Sequence, residues 1–261
     1  MKRILGIAMV IGLVGYLSLL AQEVKPGKEE VKDLGKGVKL EMVLIPAGKF
    51  VMGSPKSEKG RQYNETQREV TLTKPFYIGK YEVTQEQYEA VMGENPSTTK
   101  GAKLPVTDVS WEDCQRFIKK LNENTKGVFR LPTDAEWEYA CRAGTTTAYS
   151  FGDSLTKSGA NYGDGPSGNT KAVGSYKPNA FGLYDMHGNV FEWCEDRWGE
   201  YSADAVTDPK GPAPGWFTGR YRVLRGGAFN YGGSFARSSD RIGYEPSNRD
   251  DYYGFRLAKT Q

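Results

Sequence analysis

The densest run of charged, amide and aromatic residues in the chain reads Gly182-Leu183-Tyr184-Asp185-Met186-His187-Gly188-Asn189-Val190-Phe191-Glu192-Trp193. Hard cations such as Ca²⁺ bind carboxylate, amide and backbone carbonyl oxygens, and Asp185, Asn189 and Glu192 supply side chains of these types. The two glycines let backbone carbonyls turn inward. The same residues also fit a tight turn that leads into a buried strand, with Trp193 in the core. Because the spacing is not that of an EF-hand, both interpretations remain open.

His187 is the single histidine of the chain. Zinc and non-haem iron sites usually need two or three imidazoles, so the sequence argues against a catalyst of that kind. A Ser-His-Asp triad would have to use His187, and no nucleophile-elbow motif accompanies it. We therefore predict that His187 has a structural role.

The composition favours a packed, loop-rich domain. Hydrophobic residues make up 38% and charged residues 26% of the 261 residues, which is enough apolar surface for a core. The net charge is +3 without a basic stripe, so we expect no nucleic-acid partner. The three cysteines, Cys114, Cys141 and Cys194, fit one disulfide with a leftover thiol or three buried small apolar residues.

The first residues predict an export signal. Lys2 and Arg3 precede an uncharged run at 4–21, and Ala21 fits a cleavage position. We therefore expect an exported protein, periplasmic or extracellular, with membrane attachment only if the leader stays uncleaved. The chain is divided into a signal peptide at 1–21, a linker at 22–39 and one domain at 40–261.

Helix starts are the clearest local signals within the domain. A hydroxyl residue is followed three positions later by Gln, Asp or Glu at Thr84, Ser110 and Thr133, which is the pattern of a capping box. Short apolar runs at 42–46 and 49–53 predict strands. After residue 144 the sequence predicts short strands and long ordered loops.

A long loop at 230–253 is enriched in Arg and Tyr, and it follows the turn Gly226-Gly227. Arg and Tyr each form a large contact area while few side chains have to become ordered. We therefore interpret this loop as a recognition surface rather than as a solvated loop held by salt bridges. The glycine pair permits close backbone approach, either to a ligand or to another chain segment. The predicted ligand-binding residues are Arg225, Asn230, Tyr231, Arg237, Arg249 and Tyr252.

Taken together, seven stretches resemble the formylglycine-generating enzyme family, also called the sulfatase-modifying factor domain. They lie in the family's order at 42–53, 81–84, 105–111, 130–140, 179–193, 225–227 and 254–257. The resemblance implies an α+β, irregular C-type-lectin-like fold with few helices and short antiparallel strands.

The resemblance also implies metal sites. One structural calcium site would use Asp185, the carbonyls of Gly188 and Val190, and the Glu192 carboxylate. A second would begin at Asn161 and Tyr162, with Asp164 as a weak acidic candidate. Family members that activate sulfatases hold Cu(I) with two cysteines after the glycine turn, and soft thiolates select Cu(I). The equivalents here are Tyr231 and Ala236, so we expect no copper and no copper-dependent formylglycine formation.

Three functions follow as expectations. The first is a non-catalytic binding or structural module of the cell envelope, with an exported protein or peptide as partner. The second is an oxidoreductase or maturation factor that acts on cysteine or another residue of an exported protein, as in formylglycine-generating enzymes. The third, a sugar-binding lectin, rests on fold analogy alone.

Overall fold

The computed structural model of the chain describes residues 27–163, 165, 168–213 and 219–261. The predicted signal peptide and Asp164 lie outside these residues. Within them, no helix is both long and apolar enough to cross a membrane.

The predicted helix starts are confirmed. Helices α1 (Gln85–Met92), α2 (Trp111–Thr125) and α3 (Asp134–Arg142) begin after Thr84, Ser110 and Thr133. Each hydroxyl accepts from the backbone N–H three residues on, and the side chain at that position accepts from the backbone N–H of the capping residue. These reciprocal bonds satisfy two of the amides that a helix start leaves free. A short 3₁₀ turn at Gly233–Ala236 follows later.

Short strands supply the rest of the regular structure. In chain order they are β1 (Glu29–Asp33), β2 (Lys39–Ile45), β3 (Gly48–Met52), β4 (Arg68–Leu72), β5 (Phe76–Gly79), β6 (Phe129–Arg130), β7 (Phe191–Arg197), β8 (Val206–Thr207), β9 (Arg222–Arg225), β10 (Ile242–Tyr244), β11 (Tyr253–Gly254) and β12 (Ala258–Thr260). They form three small sheets with the orders β1-β2-β5-β12-β6, β10-β9-β7-β11 and β3-β4-β8. Most pairs are antiparallel, as expected, but β7–β11 and β4–β8 are parallel. The α+β class is confirmed.

The domain begins earlier than predicted. The sequence predicts a linker at 22–39, but residues 29–33 form β1. This strand pairs with β2, with Glu29 opposite Val43 and Asp33 opposite Lys39. This strand is charged and alternates between exposed and partly buried residues, as is common for a sheet edge. Its ladder depends on backbone hydrogen bonds rather than on apolar side chains, so its composition resembled a linker.

The stretch at 182–193 forms an irregular loop that enters β7. Asp185 and Asn189 adopt left-handed backbone conformations, with φ of 57° and 68°. Trp193 is fully buried, and its Nε1 donates to the Val109 carbonyl at 3.0 Å. The loop is thus anchored by the core at its C-terminal end and leaves Asp185 beside the neighbouring loops.

Candidate functional site

A buried group of charges lies beneath the loop at 182–193. We call Glu82, Asp185, Glu192 and Arg256 the carboxylate cluster. The Arg256 guanidinium binds Glu192 in a bidentate manner, with Nε and Nη2 each 2.6 Å from one carboxylate oxygen. Trp137 Nε1 donates to the same carboxylate at 2.7 Å. The predicted calcium ligand Glu192 is therefore already neutralised by Arg256, a partner that the sequence analysis missed.

The other two acids of the carboxylate cluster are less well compensated. Glu82 Oε1 accepts from Asn189 Nδ2 at 3.0 Å, whereas its buried Oε2 has no hydrogen-bond partner among the described residues. Burial, and then the nearby charge of Asp185, raise the pKa of Glu82. Burial also raises the pKa of Asp185 to about 6. Three acids share one guanidinium, so Glu82 and Asp185 tend to hold a proton unless a cation beside them compensates their charge.

A cavity of about 10 Å³ adjoins this cluster and has room for one water-sized atom. Its lining includes Asp185, Gly188 and Asn161, three of the predicted calcium ligands, but neither Val190 nor Glu192. No three acidic, histidine or cysteine side chains of the described ranges are grouped so that they could hold a metal ion. The oxygen donors at this cavity match the preference of Ca²⁺, and a complete shell would need backbone carbonyls in addition to Asp185.

The predicted second calcium site stays a prediction, because its acidic candidate Asp164 lies outside the described residues, and a lysine lies beside Tyr162. The Tyr162 carbonyl accepts a hydrogen bond from the Lys157 ammonium, whose Nζ also lies 4.0 Å from the centre of the Tyr162 ring. The Asn161 carbonyl accepts from the backbone N–H of Asn189 at 2.8 Å. The Lys157 ammonium therefore lies beside one of the two residues at which the second calcium site is predicted to begin.

His187 is locked by hydrogen bonds in one neutral tautomer. The backbone N–H of Ser150 donates to Nε2 at 3.0 Å, so Nε2 must be the acceptor and Nδ1 carries the proton. Nδ1 lies 2.7 Å from the Ala236 carbonyl, to which it donates. Burial lowers the pKa of His187 to about 4 and raises that of its neighbour Cys141 to about 12. Both shifts favour the neutral forms of His187 and Cys141, and the hydrogen bonds of His187 are all made within the fold.

Two of the predicted ligand-binding residues are wrong. Arg225 is fully buried, with Nε 2.5 Å from Asp134 and Nη2 2.9 Å from Glu138. Arg237 is 1% exposed and lies 2.6 Å from Glu65. A guanidinium in the interior needs such carboxylates to offset its lost hydration. Their carboxylate partners lie far away along the chain, so no local pattern indicates that these arginines point inward.

The other predicted residues remain accessible. Asn230, Tyr231 and Tyr252 are partly buried, and Arg249 is exposed beside Asp113, with 2.6 Å between Nε and Oδ2. The Tyr231 ring centre lies 5.2 Å from that of Tyr252 and 5.3 Å from that of Phe235. We call Tyr231, Phe235 and Tyr252 the tyrosine face. Phe235 was missed, since a lone Phe in a Gly- and Ser-rich segment carries no signal.

The glycine turn packs against the chain itself. Gly226 and Gly227 have φ of 93° and 73°, which favour glycine. A Cβ on Gly227 would lie 2.9 Å from the backbone of Ala236. The close approach is therefore to another chain segment. Of the two positions that the resemblance aligns with copper-binding cysteines, Ala236 is buried against this turn and Tyr231 lies on the tyrosine face.

Comparisons with known proteins agree with this geometry. Residues 28–261 match the family described as a sulfatase-modifying factor enzyme 1-like domain. The chain is 34% identical over 272 residues to serine/threonine-protein kinase pkn1 of Chlamydia caviae, which covers 92% of this chain and 41% of that protein. It is 35% identical over 173 residues to the formylglycine-generating enzyme of Streptomyces coelicolor, over 59% of this chain and 52% of that enzyme.

Among solved structures, Treponema denticola variable protein 1 aligns with a TM-score of 0.78 and 30% identity, over 89% of this chain and 99% of that one. The chain spans less than half the length of the chlamydial kinase. The likeness therefore concerns one shared domain, and the fold expected from the seven stretches is confirmed. By its sequence match from residue 28 to 261 and by its structure, this protein belongs to the sulfatase-modifying factor enzyme 1-like domain family.

Proposed function

We propose that this protein is a non-catalytic binding module of the cell envelope that recognises an exported protein or peptide through the tyrosine face. The observation that carries the proposal is the position of Tyr231. At a site where copper-binding relatives need a thiolate, this chain has a phenol whose ring packs 4.9 Å from Phe191 and 5.2 Å from Tyr252. A phenol and the Ala236 methyl do not supply the soft ligands that select Cu(I).

The cysteines support the same proposal. Cys114, Cys141 and Cys194 are unpaired and 0% exposed. Burial raises the pKa of all three thiols. The thiolate is the reactive and metal-binding form, so these residues are poorly suited to redox chemistry on a partner protein.

The tyrosine face has the character of a recognition surface. Tyr and Phe offer large contact areas that lose little side-chain entropy on binding. Tyr231 and Tyr252 are held by their neighbours but keep part of their surface accessible. Asn230 and Arg249 add polar groups at the two ends of the same loop. The proposal includes export, and that part of it rests on the signal peptide predicted at 1–21.

Site-directed cross-linking in the native cell tests the proposal. A photo-reactive amino acid would replace Tyr252 and, as the control, Val31, which is 53% exposed on β1. We expect one exported protein to cross-link from position 252 and not from position 31. Its affinity for purified Tyr231→Ala and Tyr252→Ala variants should fall about tenfold or more, as is typical for aromatic hot spots, in variants that circular dichroism shows to be folded. Unchanged binding by both variants would refute the tyrosine face.

The alternative function is oxidation of a cysteine in an exported protein, which the likeness to the Streptomyces coelicolor enzyme supports. The protein would be incubated with Cu(I), oxygen and a cysteine-containing peptide, and the peptide analysed by mass spectrometry. We expect no aldehyde. Aldehyde formation at enzyme-like rates would overturn the non-catalytic proposal.

We also infer that the cavity beside Asp185 binds one structural Ca²⁺. The three acids of the carboxylate cluster that share one guanidinium and the unpartnered Glu82 oxygen support this inference. An ion bound only by the folded state raises the melting temperature, so chelation should lower it. An unchanged melting temperature, with no calcium found by elemental analysis, would remove the site.

A further inference from the structure

A second, larger cavity lies at the β6 edge of the first sheet, between α2, β7 and the loop after β8. Its volume is about 560 Å³, which falls within the range of about 300 to 1,000 Å³ for small-molecule sites. No residue of the tyrosine face or of the carboxylate cluster lines this cavity. We call it the edge groove.

The floor of the edge groove is apolar. Leu72, Phe76, Ile118 and Phe129 contribute to its lining from β4, β5, α2 and β6, and each is at most 5% exposed. Four separate elements hold these side chains, so the floor is fixed by the fold rather than by one mobile segment. Such a surface binds the apolar part of a ligand and releases water from it.

One wall of the groove carries an acid, Glu195, that forms no salt bridge within the described ranges, although the charges of Arg222, Arg130 and Arg197 lie near enough to lower its pKa. Glu195 on β7 accepts a hydrogen bond from Gln115 Nε2 at 2.9 Å, and both residues line the cavity. None of the ion pairs formed within the described ranges involves Glu195. Burial raises its pKa. A half-buried carboxylate with one neutral donor has unused acceptor capacity for a cationic group.

The remaining charges of the groove are occupied or lie at its exposed rim. Arg130 binds both oxygens of Glu136, at 2.6 and 2.7 Å. At the rim, Asp208 accepts two hydrogen bonds from Thr73, and Lys74 and Lys210 lie close enough to lower the pKa of Asp208. The rim is thus weakly positive, and the negative charge that a ligand can reach inside is that of Glu195.

We propose that the edge groove binds a small apolar molecule with one ammonium group, the apolar body lying on the floor and the ammonium meeting Glu195. This site is independent of the tyrosine face and of the calcium site. Its specificity comes from one half-buried acid, because hydrophobic contact alone does not distinguish an amine from an alcohol of equal length.

Three ligands of equal chain length test the proposal: hexylamine, hexanol and hexanoate, titrated by calorimetry at pH 7. We expect the full-length protein to bind hexylamine about tenfold more tightly than hexanol, as one charge-assisted hydrogen bond provides. In Glu195→Gln, which keeps the shape and the bond to Gln115, this preference should disappear. Glu123→Gln, an exposed change on the same helix as Gln115, should keep it.

The order in which the unmodified protein binds the three ligands tests the proposal even if Glu195→Gln does not fold. Tighter binding of hexanoate would show that Lys74 and Lys210 control the groove and would overturn the proposal. No measurable hexylamine binding, or an equal preference in a folded Glu195→Gln, would also overturn it. Methyl NMR shifts of Leu72 and Ile118 during the hexylamine titration must locate the ligand on the floor; shifts elsewhere only would count against the site.

Discussion

Arg225 and Asp134 form an ion pair in the interior, with 2.5 Å between Nε and Oδ1 and neither side chain more than 4% exposed. The other oxygen of Asp134 accepts from Arg241 Nη2 at 2.9 Å and from the Tyr201 hydroxyl at 2.7 Å. Asp134 is the first residue of α3, so this carboxylate ties the helix to β9 and to the loop before β10. An arginine that the sequence suggested as a ligand contact therefore joins α3 to β9 and to the carbonyls of Ser238 and Asp240.

We expect Asp134→Asn to lower the free energy of unfolding by about 3 kcal/mol or more, because it leaves two buried guanidinium groups without their shared anion. Denaturant unfolding followed by circular dichroism measures this. Asp204→Asn, at an exposed position, is the control and should change stability little. A loss below about 1 kcal/mol, the worth of a surface ion pair, would show that water reaches the network.

Asp196 provides a pH prediction. Burial and the nearby charge of Asp134 raise the pKa of Asp196 to about 8, while its unfolded value is about 3.9. Between these two values the unfolded chain has released the proton and the folded chain keeps it. Stability contributed by the protonated form is therefore present at low pH and is lost as pH rises towards 8, by at most about 1.4 kcal/mol per pH unit.

The matched variant is Asp196→Asn, which copies the shape of the protonated acid and does not titrate. We expect its stability relative to the unmodified protein to increase steadily from pH 5 to pH 8, measured by chemical unfolding at each pH. For the control Asp204→Asn, the difference in stability from the unmodified protein should stay the same from pH 5 to pH 8. A difference for Asp196→Asn that does not vary with pH would mean that Asp196 ionises normally in the folded state.

The carboxylate cluster predicts that Glu82 contributes to the stabilisation of the folded protein by Ca²⁺. Burial raises the pKa of Glu82, whose Oε2 has no partner among the described residues, and a bound cation would favour its ionised form, so Glu82→Gln should weaken the attraction for a cation next to Asp185. The rise in melting temperature on adding Ca²⁺ to chelator-treated protein should shrink by roughly half or more in this variant. Glu94→Gln, exposed after α1, should respond like the unmodified protein. An equal response in Glu82→Gln would separate this residue from the ion.

The position of Lys157 predicts how many Ca²⁺ ions the chain binds. Its ammonium contacts the Tyr162 carbonyl and lies over the Tyr162 ring, where the family resemblance implied a second ion. We therefore expect one Ca²⁺ per chain in a calorimetric titration. Lys157→Met should lower stability by about 0.5 to 1 kcal/mol through loss of the cation–π contact. Two ions bound by the unmodified protein would contradict the replacement of calcium by lysine.

Local signals predicted the helices well, because capping is decided within four residues. Thr84, Ser110 and Thr133 each bond to an amide three positions away, and that geometry is fully encoded in the segment itself. Strand β1 shows the limit of this approach. Its residues carry little apolar pattern, and the edge of β2 to which they bond is brought there by the hairpin.

The sequence by itself determined the family, the α+β class and the positions of the three helices, since each of these depends on residue identity along the chain. Only the tertiary structure decided which charged residues face inward. Arg225 and Asp134 are 91 positions apart, and Arg237 and Glu65 are 172 apart. The same holds for Glu192, whose oxygens bind Arg256. Whether an arginine or an acid meets solvent, a ligand or a buried counter-ion depends on contacts between distant segments, and the free energy of burying a charge is set by those contacts.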